Sequence, residues 1–393
     1  MKKYFSGLTK DTFLLAFVSF FADVSTEMLY PILPIFLTQN LKSGGSIVGL
    51  IEGIATATQY IIQGFSGWLS DKFQKRKSIA LVGYSLSAIS KPFIGFAITW
   101  PEVLLARFLD RLGSGTRSAP RDALVASSTD EKNKGKAFGL EGIGDNLGAF
   151  LGPLIAIFLL FSLHIDIRNI FYLAFIPAIL AVIMASLVRE KVATIDKSRI
   201  KITFKNFPKS YWKYLLVTAI FGLGNSSNAF LILQTRDAGV SLQLTILIYA
   251  FYNLVAALTS YPSGFLSDIW GRKNILLFSF IIFILTYLGF ALSKNVLILA
   301  VLFILYGLYQ GIFRSVGKAL ATDLVPSSLR ASGVGWYSTT IGLSGLIASI
   351  VAGVLWDQVS HPAVFIYGSI FAFFGSAALL IFNPINKANS QKA

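Results

Sequence analysis

The sequence predicts an all-α integral membrane protein of twelve transmembrane helices, arranged as two pseudo-symmetric six-helix bundles. Of its 393 residues, 54% are hydrophobic and only 13% are charged, whereas an ordinary soluble domain has roughly 25% charged residues. The segment Ser66–Asp71 recurs, with one substitution, as Ser263–Asp268 half a chain later. Each copy ends one long apolar run and precedes another. A duplicated membrane bundle accounts for both observations.

Each predicted helix is an apolar run close to the roughly 20 residues that span a bilayer. The first half contains runs at 12–38, 47–69, 79–99, 102–126, 137–161 and 170–188. The second half contains runs at 214–235, 243–266, 275–293, 296–321, 332–355 and 364–382. The first run is too long for a signal peptide and lacks a small-residue cleavage site.

Basic residues divide the chain and orient it in the membrane. Eight of them lie between the halves, which predicts an N-terminal bundle at 1–188, a basic linker at 189–213 and a C-terminal bundle at 214–393. In this topology the inner segments carry 25 basic residues and the outer loops carry four. The positive-inside rule then predicts a multi-pass protein of the bacterial inner (plasma) membrane with both termini in the cytoplasm.

The net charge of +15 follows from the same inner segments and needs no acidic macromolecular partner. We expect the linker to lie against the anionic headgroups of membrane lipids. No nucleic-acid partner is expected, because the linker lacks the folded basic face and interleaved aromatic side chains of such surfaces.

The composition argues against an enzyme and for a carrier. The chain has no cysteine, and its two histidines, His164 and His361, are far apart, so neither thiolate nor histidine metal sites are expected. There is no Gly-rich phosphate loop, and we expect no cofactor. A channel is disfavoured because neither half has a filter-like loop, and the carboxylates within spans argue against a non-transporting receptor.

The repeated motif resembles the signature hairpin of the major facilitator superfamily, Gly-x-Leu-Ala-Asp-x-x-Gly-Arg-Lys. The first copy contains Gly67, Leu69, Asp71, Lys75 and Arg76, with Gln74 in place of a glycine. The second copy contains Gly264, Leu266, Asp268, Gly271, Arg272 and Lys273. The resemblance covers essentially the whole chain.

This resemblance implies the superfamily fold and a gating role, in which the hairpins hold the two halves in the outward-facing state. Gly67 and Gly264 are expected to allow close helix contact. The aspartates are expected to face a helix N-terminus or a basic partner. The alternative is a loop that only sets topology.

The fifth span resembles the glycine motif of drug/proton antiporters, Gly-x8-Gly-x3-Gly-Pro-x2-Gly-Gly. It contains Gly139, Gly148, Gly152 and Pro153 but ends in Ala156 and Ile157 instead of the glycine pair. The resemblance implies antiport. The alternative is generic close packing of helices through small residues.

The fourth span departs from the superfamily pattern Arg-x-x-Gln-Gly-x-Gly. Arg107 and Gly113 match it, whereas Asp110 and Arg111 replace the glutamine and the first glycine. Charged side chains within a bilayer cost about 3 kcal/mol each and normally face partners or water. We leave two interpretations open: a self-satisfied cluster, or part of a proton path or anion-binding feature.

Two carboxylates in the first span are the leading candidates for proton coupling. Asp23 lies near the middle of the span, and Glu27 lies one turn further on the same face. Two such carboxylates repel when both are ionised, so their protonation is sensitive to access from either side. The alternative is simple pairing with Arg107, Arg111 or Lys91.

Two further pairs are expected to be structural. Glu141 and Asp145 repeat the same spacing in the fifth span, nearer the cytoplasm, where a structural or gating pair is expected. Glu52 and Lys91 lie in the second and third spans and are expected to form an ion pair.

In the superfamily the first, fourth, seventh and tenth helices line the substrate cavity. The resemblance therefore places these side chains near a substrate: Asn225, Asn228, Gln234, Tyr306, Tyr309, Gln310 and Arg314. Of these, Arg314 is the strongest candidate, because a guanidinium within a span needs a partner across the cavity or an anionic group on the substrate.

Together these features predict a secondary active transporter that moves a small organic solute by alternating access. A proton-coupled antiporter that exports its substrate, as in drug efflux, is favoured. A proton-coupled importer of an organic anion or iron-siderophore is the alternative. The expected partners are the small-molecule substrate, protons and membrane lipids, and the protein is expected to act as a monomer. The sequence does not identify the substrate.

Overall fold

The computed structural model describes residues 7–73, 75–190, 207–326 and 329–382. Every regular element in these ranges is a helix. Most of the predicted linker at 189–213 lies outside the described residues, so the division of the chain at that segment stays a prediction.

The described helices confirm the predicted fold class of two successive six-helix bundles in a membrane protein. In the first half they are α1 at Lys10–Leu29, α2 at Gly45–Phe73, α3 at Arg76–Phe96, α4 at Trp100–Ser127, α5 at Lys134–Ile157 and α6 at Ile167–Leu187. In the second half they are α7a at Lys209–Gly222, α7b at Ala229–Asp237, α8 at Leu242–Trp270, α9 at Arg272–Leu292, α10 at Val296–Asp323, α11 at Arg330–Gln358 and α12 at His361–Phe382.

Ten segments of the described chain are long and apolar enough to cross a membrane by length and composition alone. The two remaining predicted spans, the fourth and the seventh, do not meet this length and composition criterion, for different reasons. The helix α4 has 28 residues, but its charged side chains lower its mean hydropathy. The seventh span is broken into α7a and α7b, which have 14 and 9 residues.

Two helix pairs make the most extensive contacts of the first half, α1 with α5 and α3 with α4. Glycines of α5 make the first contact possible: Gly144 faces the carbonyl of Ala16, and Gly148 faces that of Phe20. Small residues let membrane helices approach closely, so that dispersion contacts extend along the pair. Gly144 and Gly148 therefore form part of the surface on which α1 and α5 pack.

The chain forms two compact units, each of which takes one short piece from the other half of the sequence. One unit contains Met1–Ser43, Thr58–Asp196 and Leu242–Ala250, and the other contains Gly44–Ala57, Lys197–Ser241 and Phe251–Ala393. The first part of α2 thus belongs with the second half, and the first part of α8 belongs with the first half.

The start of α2 is held within its unit by the end of α11. The Asp357 carboxylate accepts hydrogen bonds from the backbone N–H groups of Gly45 and Ser46, both at 2.8 Å. The first N–H groups of a helix have no partner within the helix, so the carboxylate satisfies two of them and complements the helix dipole. Gly353 allows close approach, because a Cβ there would lie 2.6 Å from the Gly45 carbonyl oxygen.

We expect Gly148→Ala to destabilise the protein by about 1–3 kcal/mol, because overpacking of a tight contact forces helices apart. A Cβ at this position would lie 2.5 Å from the Phe20 carbonyl oxygen and 2.9 Å from the Asp23 Cβ. Thermal unfolding in detergent measures the effect.

The matched control is Gly139→Ala in the same helix, where a Cβ meets no atom of the described residues within 4 Å. Both substitutions add the same methyl group to a helix, so their difference isolates the α1–α5 contact. Equal melting temperatures for the two variants would contradict the proposed packing role.

Candidate functional site

Charged side chains run along one face of α4. Arg107, Asp110, Arg117 and Arg121 lie at heptad-type intervals of the helix, so they share a face, and Arg111 lies beside them. The helix starts at a capping box formed by Thr99 and Glu102 and carries a proline in its first turn. The capping box and the proline fix where α4 begins. They thereby fix which of its residues face the neighbouring helices.

Asp110 is the centre of what we call the cationic cluster, formed by Lys91, Arg107 and Arg111 around this one carboxylate. Its Oδ1 lies 3.2 Å from Lys91 Nζ and accepts a hydrogen bond of 2.6 Å from Ser87 Oγ. Its Oδ2 lies 2.9 Å from Arg107 Nη1 and 3.5 Å from Arg111 Nε. Lys91, Arg107 and Asp110 are at most 3% exposed. The ion pairs thus lie in the interior of the first unit.

Arg111 forms the accessible edge of the cationic cluster. Its side chain is 13% exposed, and Nη1 donates a hydrogen bond of 3.1 Å to the Gln59 side-chain oxygen on α2. This contact fixes the guanidinium plane, and it places the amide group of Gln59 next to the cluster.

A chain of aromatic contacts connects the cationic cluster to the first helix. The Arg107 guanidinium lies 5.7 Å from the centre of the Tyr30 ring, within cation–π range. Tyr30 stacks on Tyr249 with ring centres 5.5 Å apart. The Tyr249 hydroxyl donates a hydrogen bond of 3.0 Å to Glu27 Oε2. Two side chains, Tyr30 and Tyr249, thus connect Arg107 of the fourth helix to Glu27.

A second group, which we call the carboxyl cluster, contains Asp23, Glu27, Glu141 and Asp145. The charges that act most strongly on Asp23 are those of Asp145, Arg117 and Glu27. Glycines of α5 bring these helices together. A Cβ at Gly148 would lie 2.9 Å from that of Asp23.

Arg121 connects two carboxylates of α5 to the fourth helix. Its Nη1 lies 2.9 Å from Glu141 Oε1 and 3.7 Å from Asp145 Oδ1. Ser19 of α1 donates a hydrogen bond of 2.6 Å to the same Glu141 oxygen and accepts one of 3.2 Å from Arg121. These contacts close a polar network between α1, α4 and α5.

Arg117 packs against an aromatic ring, and its charge acts on Asp23. Its guanidinium lies 4.5 Å from the centre of the Tyr84 ring. Its buried Nε has no hydrogen-bond acceptor among the described residues. The positive Arg117 guanidinium can therefore balance the negative charge of an ionised Asp23.

The structure supplies partners for several of the charged residues that the sequence analysis singled out. Lys91 pairs with Asp110, and the Glu52–Lys91 pair stays a prediction. Asp110 pairs with Arg107 and Arg111 of its own helix, as the self-satisfied interpretation expects, and Lys91 and Ser87 of α3 join this cluster. Glu141 and Asp145, expected to be a structural or gating pair, are both ion-paired with Arg121.

The break in the seventh span carries polar side chains that face aromatic ones. The Asn228 amide donates a hydrogen bond of 3.0 Å to the Tyr252 hydroxyl, and its oxygen accepts one of 2.8 Å from Tyr306. Ser226 Oγ lies 3.3 Å from the Tyr287 hydroxyl. Broken helices expose backbone polar groups and often form binding sites in transporters. Asn228 and Tyr306, which were both predicted to lie near a substrate, are joined by a direct hydrogen bond.

The other predicted cavity residues lie in different surroundings. Tyr309 is buried against Phe221 and Phe283 in an aromatic core. Gln234 is buried and its side-chain amide donates a hydrogen bond to the Phe290 carbonyl oxygen. The remaining three are accessible to different degrees: Asn225 and Gln310 are partly buried and Arg314 is exposed.

In the second hairpin the motif is satisfied within its own half. Arg272 forms ion pairs with Asp268, at 3.1 Å, and with Asp323 of α10. Gly271 has a φ of +85°, which favours glycine, and this explains the motif glycine at the helix boundary. Lys273 Nζ donates to the Leu380 carbonyl oxygen at 3.4 Å.

In the first hairpin the backbone N–H of Arg76 donates to Glu190 at 2.6 Å. The neighbouring Lys75 is exposed, and the side chain of Asp71 lies outside what the structure describes. The expectation for the motif glycines holds for one of them only. A Cβ at Gly67 would lie 3.2 Å from that of Ala119, whereas Gly264 has no close neighbour in the described chain.

The fifth-span motif is likewise used in part. Gly148 and Gly152 contact α1, and a Cβ at Gly152 would lie 3.1 Å from that of Glu27. Gly139 lies in open space with respect to the described residues. Pro153 is buried inside the continuous helix α5.

Several residues of the site escaped the sequence analysis. Arg117 and Arg121 extend the charged face of α4, and the heptad spacing from Arg107 could have revealed them. Gln59, Tyr249 and Tyr252 carried no signal, because neutral side chains on apolar helices become informative only when their neighbours are known.

A duplicated twelve-helix membrane bundle with charged side chains in its interior and a broken helix defines a polytopic membrane transporter. The family model of the Major Facilitator Superfamily matches the chain over residues 15–217 and 214–393. The chain therefore belongs to the major facilitator superfamily.

The relatives span most of the chain. The Uncharacterized MFS-type transporter MJ1317 of Methanocaldococcus jannaschii is 35% identical over 381 residues, with 95% of each chain covered. The Quinolone resistance protein NorA of Staphylococcus aureus is 24% identical and covers 98% of this chain and 99% of its own. A Probable 4-methylmuconolactone transporter of Cupriavidus pinatubonensis is 26% identical, covering 90% and 83% respectively.

Solved structures show the same fold. The nucleoside transporter NupG, as a D323A mutant, matches with a TM-score of 0.80 at 16% identity, over 95% of this chain and 100% of its own. At this identity the similarity extends to the fold alone.

We expect Asp110→Asn to destabilise the protein by about 3–5 kcal/mol, because it leaves buried cations without their shared carboxylate. The asparagine is nearly isosteric and can still accept from Ser87, so the loss measures charge rather than volume. Thermal unfolding in detergent is the measurement.

The matched control is Asp122→Asn in the same helix. Asp122 pairs with Arg121 at 2.9 Å but is 40% exposed, so its loss should cost less than about 1 kcal/mol. If Asp110→Asn melted at the same temperature as this control, the cationic cluster would not depend on its carboxylate.

Proposed function

We propose that the protein is a secondary active transporter that exchanges protons for a small organic solute and exports that solute. The observation that carries this proposal is the carboxyl cluster, where α1 and α5 meet over glycines beside two arginines of α4. Carboxylates within membrane spans are costly and commonly form proton relays in pumps and transporters. We propose transport, rather than catalysis, as the activity of this site.

The proton is carried by Asp23 with the assistance of Glu27. Asp145 joins this pair in the proposal, because its charge acts on Asp23 and Gly148 of the same helix packs against Asp23. Neighbouring carboxylates repel when all are ionised, so binding of a proton to Asp23 relieves this repulsion. When the proton leaves, Arg117 and Arg121 are placed to balance the new charges. Protonation thereby changes the forces between α1, α4 and α5.

Export is favoured by the glycine motif of α5 and by similarity to a protein named for quinolone resistance. A second candidate is a proton-coupled importer of an organic anion or iron-siderophore. The cationic cluster favours an anionic solute, and one relative is named as a probable 4-methylmuconolactone transporter.

In this proposal the solute contacts the break of the seventh span, where Asn228 lies with Tyr306, and the accessible Asn225, Gln310 and Arg314. Both termini lie in the cytoplasm of a bacterial cell, and the basic linker contacts inner-membrane lipids. The protein acts as a monomer.

The two hairpins close the cytoplasmic side in this proposal. Asp71 and Asp268 occupy equivalent positions of the repeat, so they act at equivalent ends of the two halves. The ion pairs of Arg272 with Asp268 and Asp323 support an ordered second hairpin. The first hairpin is expected to contribute more to closure, as the family resemblance implies.

We expect Asp23→Asn to abolish pH-driven flux while leaving solute exchange without a pH gradient measurable, because the carrier then lacks its exchangeable proton. Asp145→Asn should reduce coupled flux in the same assay. The measurement uses proteoliposomes with an entrapped pH indicator, after a solute screen across an imposed pH gradient has identified a transported compound.

The exposed Asp130 provides the control, since Asp130→Asn removes a carboxylate outside the cluster and should leave coupling unchanged. Normal pH-driven accumulation by Asp23→Asn would end the assignment of the proton site.

We expect Asp71→Asn to shift the protein toward the inward-facing state by about 1–3 kcal/mol, a typical coupling between sites. Asp268→Asn should act in the same direction but more weakly. Distances between spin labels, one in each hairpin, report the shift, and the chain has no native cysteine to remove.

Lys72→Gln changes a neighbouring charge at a variable position of the motif and serves as the comparison. Unchanged distances and intact transport in Asp71→Asn would mean that the hairpin only sets topology.

A further inference from the structure

The cationic cluster contains more positive than negative charge. Lys91 and Arg111 each pair with Asp110, and neither has a second acidic partner among the described residues. Arg107 also binds Asp110, so both carboxylate oxygens are already shared. If Arg107 is left out of the count, Lys91 and Arg111 still share the single carboxylate of Asp110.

This excess of positive charge is energetically unfavourable because the cluster is buried. Lys91 and Asp110 are each 2% exposed, and the charges of Arg111 and Arg117 both act against that of Lys91. An uncompensated buried charge strongly destabilises a protein. A cluster of this kind is stable when a further negative charge completes it.

The edge formed by Arg111 and Gln59 is where such a charge fits. Arg111 is the most exposed cation of the cluster, at 13%. Gln59 uses its oxygen to accept from Arg111, which leaves its amide N–H groups without a partner in the described chain. A guanidinium beside an amide offers several N–H donors to a planar oxyanion.

We propose that Arg111 and Gln59 form a subsite for an anionic group of the transported solute, most simply a carboxylate. Lys91 and Arg107 supply the positive field behind it, and Asp110 holds the three cations together. The proposal rests on the proposed transport function and names the chemical class of its substrate. It applies equally to export and to import.

A lipid headgroup phosphate offers the same chemistry as a carboxylate on a small solute. The limited exposure of Arg111 favours a small group that enters between helices over a headgroup attached to two acyl chains. The test therefore includes both sources.

The first test measures thermal stabilisation of the full-length protein in an uncharged detergent. The probes are benzoate, benzamide and benzylammonium, which share one ring and differ in charge. Benzoate should raise the melting temperature at millimolar concentrations, whereas the neutral and cationic probes should not. Arg111→Gln should weaken the benzoate response about tenfold or more, the loss expected for a charged hydrogen bond. Lys294→Gln, at an exposed position, should leave it unchanged.

A second variant avoids the risk that loss of a cation disturbs folding. Gln59→Glu places a carboxylate beside Arg111, so it should raise the melting temperature without ligand and abolish the benzoate response. Gln63→Glu, one turn further along α2, is the matched control and should do neither.

Three results would overturn the proposal. They are no response of the native protein to benzoate, an equal response in Arg111→Gln and Gln59→Glu, and a stronger response to benzylammonium. Loss of the benzoate response when phosphatidylglycerol is added would assign the subsite to lipid instead.

The outcome is separable from that of the proton-coupling assay. If Asp23→Asn kept normal pH-driven flux while benzoate binding followed Arg111, only the coupling mechanism would fail. If coupling were lost in Asp23→Asn but benzoate binding ignored Arg111 and Gln59, only the anionic subsite would fail.

Discussion

The first unit depends on one constraint: a charge in the interior of a membrane needs a partner, because the bilayer supplies none. The fourth helix carries five such charges on or near one face, and each neighbouring helix contributes to their balance. Lys91 and Ser87 come from α3, Gln59 from α2, and Glu141 and Asp145 from α5. The packing of these helices is therefore tied to their electrostatics, and a helix that moved away would leave a charge unmatched.

Around the broken seventh span, the second unit uses neutral groups. The break exposes backbone and side-chain polar groups, and Tyr252, Tyr287 and Tyr306 supply hydroxyls to them. The surrounding rings pack as an aromatic core. The two units thus differ in their interior chemistry, with ion pairs around α4 in one and amide–phenol hydrogen bonds around the break in the other.

The charged face of α4 also joins the two proposed activities. Arg107 and Asp110 belong to the cationic cluster, whereas Arg117 and Arg121 contact the carboxyl cluster. All four residues belong to α4. If a change of charge at one cluster displaces α4, the residues of the other cluster move with it. Coupling between a proton and an anionic solute would then need no long pathway, only a displacement of α4 between its neighbours.

The sequence by itself determined the membrane class, the duplicated bundle and the helices that carry charge, because apolar runs, basic loops and repeated motifs are local properties of the chain. It also placed Asp23 and Glu27 on one helix face. Only the tertiary structure decided the partners: Lys91 binds Asp110, Arg121 binds Glu141, and the seventh span is broken between Gly222 and Ala229. Partner choice depends on which helices meet and at what depth, and glycines such as Gly148 set that distance through contacts that are remote in sequence.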